Sequence, residues 1–485
     1  MSLSRLLKSF APFGVAFFLT ACGGATLMSA EDEARIGAEQ HPLIIEEFGG
    51  VYDNPLLTAY VEHVMERIGE ASGPSRHNYR ITILDTPVVN AFALPGGYTY
   101  VTRGLLALAN SEAQLAGVIG HEIAHVTARH GAKRHTASVG TAVMAGVLGA
   151  AIQFGTGISA DVTGGLINAG GGLLLAGYSR ENEYEADNLG IKALARAGYA
   201  PMAQADFLAA LGAYARLQTG GKSQKASWFA SHPNNKERVA KAREKARAQA
   251  ENNHQAGTDA PRLRQGVAAH MQAIQGMSYG DGSRQGVVRG RRFAHANLGV
   301  SFAVPKGFEL TNSPQRVMAR HANEVQIVFD LDARIANEAL ADYMQSSWAA
   351  EAEIDTLRRL SIDGRAAVTG RVETENGIAL LLAIDHSETQ IMRFGVLAPA
   401  AQKAAAQAAM TSLIRNIDFL TAAQRAAIKP LTLAVRRVQK GDTLYALARR
   451  MGGPVKDRLA LLRVLNQLPE DAALRLGQPI KLVLP

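Results

Sequence analysis

The chain has 485 residues, of which 47% are hydrophobic and 19% are charged, so it can bury several cores, and a chain of this length is expected to form about three domains. Its formal net charge is +8, but the basic residues are scattered, and over positions 236–245 they are interleaved with acidic residues as on a solvated helix. This pattern gives no support to nucleic-acid binding and allows only weak attraction to anionic surfaces.

The first predicted element is an export signal. Arg5 and Lys8 precede an almost wholly apolar run over residues 10–19, and Ala21 and Cys22 follow. This looks like a bacterial lipoprotein signal over residues 1–21, cleaved before a cysteine that is then lipidated, and Cys22 is the only cysteine in the chain. An uncleaved anchor is the alternative, but an apolar run of about ten residues is short of the roughly 20 that span a bilayer. No Asp follows Cys22, and by resemblance to Gram-negative lipoprotein sorting this implies attachment to the periplasmic face of the outer membrane.

Two short strands are predicted next. Residues 79–84 alternate polar and apolar side chains, and residues 98–101 follow a Pro-Gly-Gly turn. A small sheet therefore precedes the helix that follows, and its edge is predicted to lie beside the site which that helix carries.

The next helix carries a His-Glu-x-x-His pentad at residues 121–125. Asn110 or Ser111 can cap this helix, and apolar residues recur along it at helical spacing. At roughly 100° per residue, positions 121 and 125 lie about 40° apart, so both imidazoles can reach one ion while Glu122 flanks an open coordination position. The pentad therefore predicts the metal site of a zinc hydrolase.

The third metal ligand is not in the same segment. An extended metzincin pattern needs Gly at position 128 and His at position 131, but the chain has Ala128 and Gly131, and His130 is one residue out of phase. The third ligand must therefore come from elsewhere in the chain, and a carboxylate on a later helix is the usual solution.

Residues 179–187 offer such a carboxylate. Glu183 and Asp187 are spaced i, i+4, so on a helix they can point a ligand and an orienting group in the same direction. Glu181 and Glu185 are then predicted to face solvent. Together the two segments supply three metal ligands, a general base and an outer carboxylate.

The stretch between these two segments is unusually apolar. Asp161 is the only charged residue between His135 and Arg180, and the apolar runs there are short and broken by glycines. A membrane span is therefore not predicted. Residues 136–178 are interpreted either as a pair of buried or lid-like helices over the metal cleft, or as a surface that touches a lipid interface or a misassembled membrane protein.

Four motifs occur in order in this part of the chain: residues 90–97, the pentad, residues 179–187, and Ser231-His232-Pro233 followed by Arg238. Residues 31–250 thereby resemble the HtpX-like and CAAX prenyl protease-like zinc metallopeptidases, family forty-eight of the metallopeptidases. The resemblance implies a gluzincin, mainly α-helical with a small β-sheet, that holds one Zn²⁺ per chain. The implied roles are zinc binding by His121, His125 and Glu183, activation of water by Glu122, and a hydrogen bond from Asp187 to a histidine ligand.

The same resemblance leaves several roles open for His232. Either His232 or Arg238 is a candidate donor to the oxyanion that develops during peptide hydrolysis. Periplasmic relatives can instead place this histidine on the zinc as a fourth ligand that closes the site. A residue that only shapes a helix turn is the third possibility for His232.

The resemblance also implies how a substrate binds. In the family, a substrate chain pairs as an added strand with the edge of the small sheet, which gives backbone affinity with little side-chain demand. Asn90, Ala91 and Phe92 are the predicted substrate contacts. An equally open interpretation is that Asn90 only shapes a turn before Phe92 enters the core.

Beyond residue 250 the composition changes. Residues 251–261 are polar and rich in structure breakers, which predicts a linker, and a helix is predicted at about residues 263–276. The region 286–425 is predicted to be an α+β domain, with strands near 300–304, 325–329, 366–372 and 378–384 and helices near 336–350 and 400–414. It has no metal, nucleophile or phosphate motif, which favours a scaffold or a partner-binding module. Its isolated histidines are predicted to be surface or packed residues: His295, His321 and His386.

Residues 433–485 carry a second recognisable module. A strand end, a Gly turn and a helix cap occur at residues 438–444, a second helix ends near Asn466, and a strand returns at residues 476–482. This resembles a LysM domain, which implies a βααβ fold that binds the N-acetylglucosamine backbone of peptidoglycan. The predicted glycan contacts lie in the loop after the first strand: Gly441, Asp442, Thr443 and Leu444. A structural or protein-binding LysM domain is the alternative.

These predictions together describe a multidomain α+β protein. Its predicted parts are a signal peptide (1–21), a zinc peptidase domain (22–250), a linker with a helix (251–285), an α+β domain (286–425) and a LysM domain (433–485). The predicted function is zinc-dependent hydrolysis of misfolded or immature polypeptides in the periplasm, by an enzyme anchored to the outer membrane and bound to peptidoglycan. The alternatives are a chaperone or assembly factor with a mostly closed zinc site, and a hydrolase of peptidoglycan crosslinks, which the LysM domain suggests but the catalytic motifs do not.

Overall fold

The computed structural model describes residues 29–74, 78–133, 177–219, 232, 236–255, 263–334, 338–350, 354–453 and 457–485. The predicted signal peptide, the lipidation site Cys22, residues 136–176 of the predicted lid, and Ser231 and Pro233 lie outside these ranges. None of the helices formed by the described residues is both long and apolar enough to cross a bilayer.

Besides the helical residues 130–133, eight helices before residue 280 and five after it have both ends within the described ranges. They are α1 (Ala30–Glu47), α2 (Pro55–Ala71), α3 (Arg103–Leu108), α4 (Glu112–Thr127), α5 (Arg180–Arg196), α6 (Met202–Thr219), α7 (Lys236–Gln255), α8 (Val267–Ala273), α9 (Leu340–Tyr343), α10 (Lys403–Ile414), α11 (Ala422–Ala427), α12 (Leu444–Arg450) and α13 (Arg458–Leu465). A π-helical turn at Met344–Trp348 follows α9, and a 3₁₀ turn at Ala400–Gln402 precedes α10.

The strands are distributed over four sheets within the described residues. They are β1 (Arg80–Leu84), β2 (Ala91–Ala93), β3 (Tyr98–Thr102), β4 (Ser278–Tyr279), β5 (Val287–Arg289), β6 (Arg292–His295), β7 (Val300–Ala303), β8 (Glu309–Asn312), β9 (Arg316–Arg320), β10 (Gln326–Ala333), β11 (Arg358–Ile362), β12 (Arg365–Glu373), β13 (Gly377–Asp385), β14 (Gln390–Pro399), β15 (Ile417–Phe419), β16 (Leu431–Arg437) and β17 (Pro479–Leu484).

The first sheet lies beside the helix that carries the pentad. Its order is β1-β3-β2, with β1 parallel and β2 antiparallel to β3, so β2 is an edge strand. The ring of Phe92 stacks on Tyr100 with 4.8 Å between centroids, and both side chains are buried under α1 together with Ile44. The sheet is therefore held on one face by α1, and its edge strand β2 contacts α4.

The helix α4 begins as the local sequence predicts. Ser111 is its N-cap and accepts a hydrogen bond from the backbone N–H of Gln114 at 3.2 Å. Glu112 in the first turn is buried, and it accepts hydrogen bonds from the Tyr199 hydroxyl at 2.7 Å and from Arg264 at 3.1 Å. These contacts tie the start of α4 to the loops that follow α5 and α7.

Two glycines allow α4 and α5 to approach closely. A Cβ atom on Gly190 would lie 3.1 Å from the backbone nitrogen of His121 and 2.8 Å from Oε1 of Gln204, and a Cβ atom on Gly120 would lie 3.4 Å from the Cα atom of Gly190. A side chain at position 190 would force its neighbours to shift, so the glycine there favours the close contact between the two backbones. As a result, Glu183 and Asp187 on α5 come within reach of the pentad.

The middle of the chain forms the predicted α+β region. A seven-stranded sheet has the order β11-β12-β13-β14-β10-β9-β8, with antiparallel pairing throughout, and a four-stranded sheet has the order β15-β7-β6-β5. Phenylalanines from both sheets pack together, and α10 covers β13 and β14. The helix predicted near 336–350 is shorter, since α9 has four residues and continues only as the π-helical turn.

The predicted linker is more structured than its composition suggests. Helix α7 continues to Gln255, because residues 251–255 are polar but contain no Gly or Pro that would end it. Helix α8 covers only Val267–Ala273, since Gly266 before it adopts a left-handed conformation with φ of 65°. Further on, β4 pairs with β16. Polarity alone was therefore a poor guide to this segment.

The C-terminal domain is a βααβ unit in which β16 and β17 pair antiparallel and α12 and α13 lie between them in sequence. It is packed against the N-terminal helices, and one hydrophobic core runs through both. Helix α13 contacts α6 and α3. The ammonium group of Lys481, which is fully buried, donates hydrogen bonds to the carbonyls of Ala107 at 2.6 Å and Ala109 at 2.7 Å. The domain is thus a packed part of the molecule.

Candidate metal centre

Four buried side chains converge: two from α4, one from α5, and His232. His121, His125, Glu183 and His232 each offer one ligand atom, and these atoms lie within 4.8 Å of one another. All four residues are at most 2% exposed. The pentad and Glu183, which are nearly sixty residues apart in sequence, are thus brought together, and His232 completes the group.

The spacing of these donor atoms fits a metal ion. Nε2 of His121 lies 3.0 Å from Nε2 of His125 and 3.3 Å from Nδ1 of His232. Oε1 of Glu183 lies 3.4 Å from Nε2 of His125 and 2.9 Å from Nδ1 of His232. A tetrahedral zinc ion with bonds of about 2.05 Å holds its ligand atoms about 3.3 Å apart. Three imidazoles and a carboxylate are also the donor types that zinc prefers.

Glu122 lies beside these donors. Its side chain is 1% exposed, and among the described residues no hydrogen-bond partner reaches its Oε1 atom. The nearest ring nitrogen, Nε2 of His232, is 3.6 Å away. A buried carboxylate oxygen is costly to leave unpaired, so this atom is suited to accept a proton or a hydrogen bond from a molecule that enters the site.

Asp187 and Arg238 form the outer layer behind His121 and Glu183. Oδ1 of Asp187 lies 3.0 Å from Nδ1 of His121, which leaves Nε2 of that ring for the ion. The guanidinium of Arg238 donates to both oxygens of Asp187, at 2.6 and 2.9 Å, and pairs with Glu183. Gln204 donates to Oδ1 of Asp187 at 3.0 Å. These contacts of Arg238 favour an orienting role over that of the predicted oxyanion donor.

The electrostatics of the centre favour the ionised form of its carboxylates and the neutral form of His125. Burial alone would raise the pKa of Glu183, but the charges of His232 and Arg238 outweigh it and hold that pKa well below its ordinary value. Burial also opposes ionisation of Asp187, and Arg238 again outweighs it and lowers the pKa. Burial lowers the pKa of His125, which favours the neutral imidazole. Ionised carboxylates and a neutral imidazole are the forms that bind zinc.

His232 lies within the donor shell. With its Nδ1 atom in place, four protein atoms surround the position of the ion, as in closed structural zinc sites, whereas catalytic zinc sites keep one position open. Burial would lower the pKa of His232, but the carboxylates of Glu183 and Glu122 outweigh it and raise the pKa. Of the three roles left open by the sequence, this geometry favours the fourth ligand.

The predicted substrate contacts lie on the edge strand. Ala91 and Phe92 are buried in β2, so only their backbone groups are available to a bound chain. The Asn90 backbone exchanges hydrogen bonds with the Thr102 hydroxyl at 3.0 Å, which ties down the turn. Its Oδ1 atom is buried and has no hydrogen-bond partner within the described part of the chain. Both predicted roles of Asn90 are compatible with this position.

The surroundings of His125 were not predicted from the sequence. Nδ1 of His130 lies 2.9 Å from Nδ1 of His125, and Nε2 of His130 lies 3.2 Å from Oε2 of Glu185. The ring of Tyr178 stacks on His125 with 3.9 Å between centroids. The spacing of His130 does not fit a metzincin ligand, and Glu185 is predicted to face solvent. Neither residue is therefore a predicted part of the site. The spacing of metal ligands in the sequence identifies the ligands themselves, and it does not identify a residue that contacts one of them.

The predicted glycan contacts lie at the surface of the C-terminal domain. Gly441 and Thr443 are exposed, and Asp442 and Leu444 are half-buried. Two large apolar side chains in the adjoining segments are also exposed, Tyr445 by 66% and Leu476 by 75%. The predicted glycan contacts are therefore at least partly open to solvent.

Both regions are similar to known protein families. Residues 55–246 match the model of peptidase family M48, and residues 437–483 match that of the LysM domain. Mitochondrial metalloendopeptidase OMA1 of Schizosaccharomyces pombe is 31% identical over 224 residues, which cover 45% of this chain and 62% of that protein. The putative beta-barrel assembly-enhancing protease of Vibrio cholerae is 30% identical over 223 residues, 44% of each chain.

The beta-barrel assembly-enhancing protease of Escherichia coli is 30% identical over 200 residues, 40% of each chain. The matched region thus spans between 40 and 62% of the length of these relatives. The match covers the pentad, Glu183 and Asp187, and it confirms the resemblance that the four ordered motifs indicate. The chain therefore contains a peptidase family M48 domain followed by a C-terminal LysM domain.

Proposed function

We propose that the protein is a zinc-dependent endopeptidase of the bacterial cell envelope that hydrolyses misfolded or immature envelope proteins. The observation that carries this proposal is the buried donor group of His121, His125, Glu183 and His232 with Glu122 beside it. Its spacing fits zinc, and the relatives that match this region are named as endopeptidases or proteases. One of these relatives is named as mitochondrial, and two are named for β-barrel assembly. The latter names support a role in the assembly of β-barrel proteins.

The residues of the site divide the work of hydrolysis. When bound, zinc lowers the pKa of a water molecule towards 7 and polarises the carbonyl of the scissile peptide bond. His121, His125 and Glu183 hold the ion, and Asp187 accepts a hydrogen bond from Nδ1–H of His121, which fixes the tautomer of that ring. Glu122 accepts the proton from the attacking water as general base. The edge strand β2 provides backbone groups that pair with the substrate chain.

A comparison of wild type with Glu122→Gln tests this proposal. Loss of the general base is expected to lower kcat on casein or an unfolded envelope protein by about 10²- to 10⁴-fold. Zinc content, measured by elemental analysis of the purified chain, should not change because Glu122 is not one of the ligands. Equal cleavage by both proteins, or a wild-type protein without zinc, would contradict the proposal.

A second candidate function is that of an assembly factor whose site is mostly closed. It is favoured by the place of Nδ1 of His232, which is 3.3 Å from His121 and 2.9 Å from Glu183. In this arrangement His232 has to leave the donor shell before a water molecule can occupy the fourth position.

The variant His232→Ala separates the two candidates. If the open form makes up at most about 10% of the molecules at rest, removal of this imidazole raises kcat/KM by about tenfold or more. Reduced cleavage by His232→Ala would instead assign this residue a direct role in catalysis and contradict the closed resting state. The double variant His232→Ala with Glu122→Gln is the control, and it should not cleave the substrate.

We further propose that the enzyme is lipid-anchored to the outer membrane through Cys22 and held near peptidoglycan by its LysM domain. The support for the anchor is the signal pattern at residues 1–22. The support for glycan binding is the match of residues 437–483 to the LysM model and the exposed Tyr445 and Leu476 beside the predicted groove. This arrangement places the metal centre between membrane and wall.

A further inference from the structure

His130 is a buried histidine that belongs to neither the donor group nor the predicted catalytic residues. It has no measurable exposure, and its ring lies edge-on to His125 with 5.0 Å between centroids. Its Nδ1 atom is 2.9 Å from Nδ1 of His125, and its Nε2 atom is 3.2 Å from Oε2 of Glu185. Both nitrogens of His130 therefore have a partner.

The hydrogen bonds of these rings can be assigned by counting protons. Nε2 of His125 faces the other donors, 3.0 Å from His121 and 3.4 Å from Glu183, so it must keep its lone pair for the ion. The proton of the neutral His125 ring is then on Nδ1. Two ring nitrogens 2.9 Å apart share one proton, so Nδ1 of His130 accepts it. The proton of His130 is then on Nε2, which donates to Glu185.

The chain makes a specific turn to place His130 there. Helix α4 ends at Thr127, and Arg129 adopts φ of 57°, a left-handed conformation that non-glycine residues rarely take. The guanidinium of Arg129 donates to Oε1 of Glu33 at 2.8 and 2.6 Å, which holds the turn. The chain is helical again over residues 130–133, and His130, the first of these residues, lies against the outer nitrogen of His125.

We infer that His130 is a positioning residue, which holds His125 in the tautomer and orientation that bind zinc. Its role for His125 matches that of Asp187 for His121, whose Nδ1 atom is 3.0 Å from that carboxylate. Glu185 in turn fixes the tautomer of His130, and its half-exposed side chain connects this hydrogen-bond chain to solvent. The inference rests on the proposed metal site.

Two substitutions of His130 test this role on the full chain. His130→Leu removes the acceptor for Nδ1–H of His125, and it should weaken zinc binding by about 10- to 100-fold. His130→Asn places an amide oxygen near the original position of Nδ1, so zinc affinity should stay within about threefold of wild type, since the hydrogen bond is kept. Affinity is measured by competition with a chromophoric chelator.

A spectroscopic readout supplements the affinity. The visible spectrum of the Co²⁺-substituted protein reports the geometry of the donor group, and it should change for His130→Leu and match wild type for His130→Asn. A wild-type affinity and spectrum for His130→Leu would overturn the inference. So would an Asn variant as weak as the Leu variant, because the residue would then matter only for packing.

His270 provides a matched control. It is as fully buried as His130, but its partners are the Tyr60 hydroxyl and the carbonyl of Leu106, both at 3.1 Å. His270→Leu should lower stability and leave zinc affinity unchanged, and an equal loss of zinc affinity would overturn the inference. If wild type itself binds no zinc, the proposed function fails, whereas zinc binding that is insensitive to His130 overturns only this inference.

Discussion

The metal centre and the surface on which the LysM domain is packed are both buried, but they consist of different types of residue. The metal centre joins polar residues that each stand in a short motif, and every one of them has charged or hydrogen-bonding partners. The LysM surface consists of apolar residues of α3, α6, α13 and β16, together with the buried Lys481. Short sequence motifs can thus predict a polar cluster, whereas almost no such motif marks an apolar docking surface.

Lys481 shows how much this surface depends on a single side chain. Its ammonium group meets the carbonyls of Ala107, Leu108 and Ala109 at the C-terminal end of α3, where the helix dipole favours a cation. Burial lowers the pKa of Lys481 well below its ordinary value. Next to it, Gln467 exchanges hydrogen bonds with Gln114 on α4, at 2.7 and 2.9 Å. The LysM domain therefore contacts the start of the helix that carries the pentad.

The largest expected effect follows from removal of the LysM domain. Deletion of residues 431–485 exposes the apolar side chains of α3, α6 and α8 that share its core, and each buried aliphatic side chain contributes about 1.5–3 kcal/mol. We expect the melting temperature of the remaining chain to fall by at least about 10 °C. Scanning calorimetry measures this change.

The control for the deletion is Tyr445→Ser, which alters only an exposed residue of the same domain and should leave the melting temperature unchanged. If the truncated chain melts at the wild-type temperature, the LysM domain is an independent module, and the two regions are not coupled through the core.

The next effect concerns Lys481 itself. Lys481→Met nearly keeps the length of the side chain but removes the hydrogen bonds that the ammonium donates to the carbonyls of Ala107 and Ala109. The free energy of unfolding should fall by about 2–4 kcal/mol, since unpaired buried polar groups carry this cost. Urea denaturation measures it. Lys440→Met in an exposed position is the control, and a loss of similar size there would show that Lys481 has no special role.

The smallest of the three effects is expected at the contact between α4 and α5. In Gly190→Ala the new methyl group would lie 3.1 Å from the nitrogen of His121 and 2.8 Å from Oε1 of Gln204. Overpacking of this kind costs about 1–3 kcal/mol, and it should also weaken zinc binding because the two helices carry the ligands. Denaturation and chelator competition measure the two changes.

Gly395→Ala is the matched control for this substitution, since a Cβ atom there would meet no other atom within 4 Å. It should change neither stability nor zinc affinity by a measurable amount. A Gly190→Ala variant with wild-type zinc affinity would show that the close approach of α4 and α5 is not what positions the ligands.

The sequence predictions were more accurate for polar residues in short motifs than for contacts between distant segments. The pentad, Glu183 and Asp187 were predicted from spacing alone, and the structure brings them together. Arg238 was predicted as a candidate oxyanion donor, and in the structure its guanidinium contacts Asp187 and Glu183. The position of a long side chain depends on which helices meet, and no local pattern encodes that.

The predictions beyond the peptidase region were coarser. The apolar runs at residues 366–372 and 378–384 predicted the long strands β12 and β13 to within one residue at each end, and β13 is buried along most of its length. The extension of α7 to Gln255 and the shortness of α9 were missed, since polar composition and helical spacing do not mark where a helix ends. The pairing of β4 with β16 joins strands more than 150 residues apart, and two residues are too few to give any periodic signal.

Residue types and their spacing were thus sufficient to predict a zinc site with a glutamate beside it, because metal coordination and helix geometry demand particular side chains at particular intervals. The LysM domain was predicted from its resemblance to a known family. For His232 the sequence left three roles open, and the structure places its Nδ1 atom in the donor group. Two features appeared only when the chain was folded: His130 against His125, and Lys481 against the end of α3. Each joins segments whose meeting depends on backbone packing elsewhere, such as the glycine contact between α4 and α5 and the left-handed turn at Arg129.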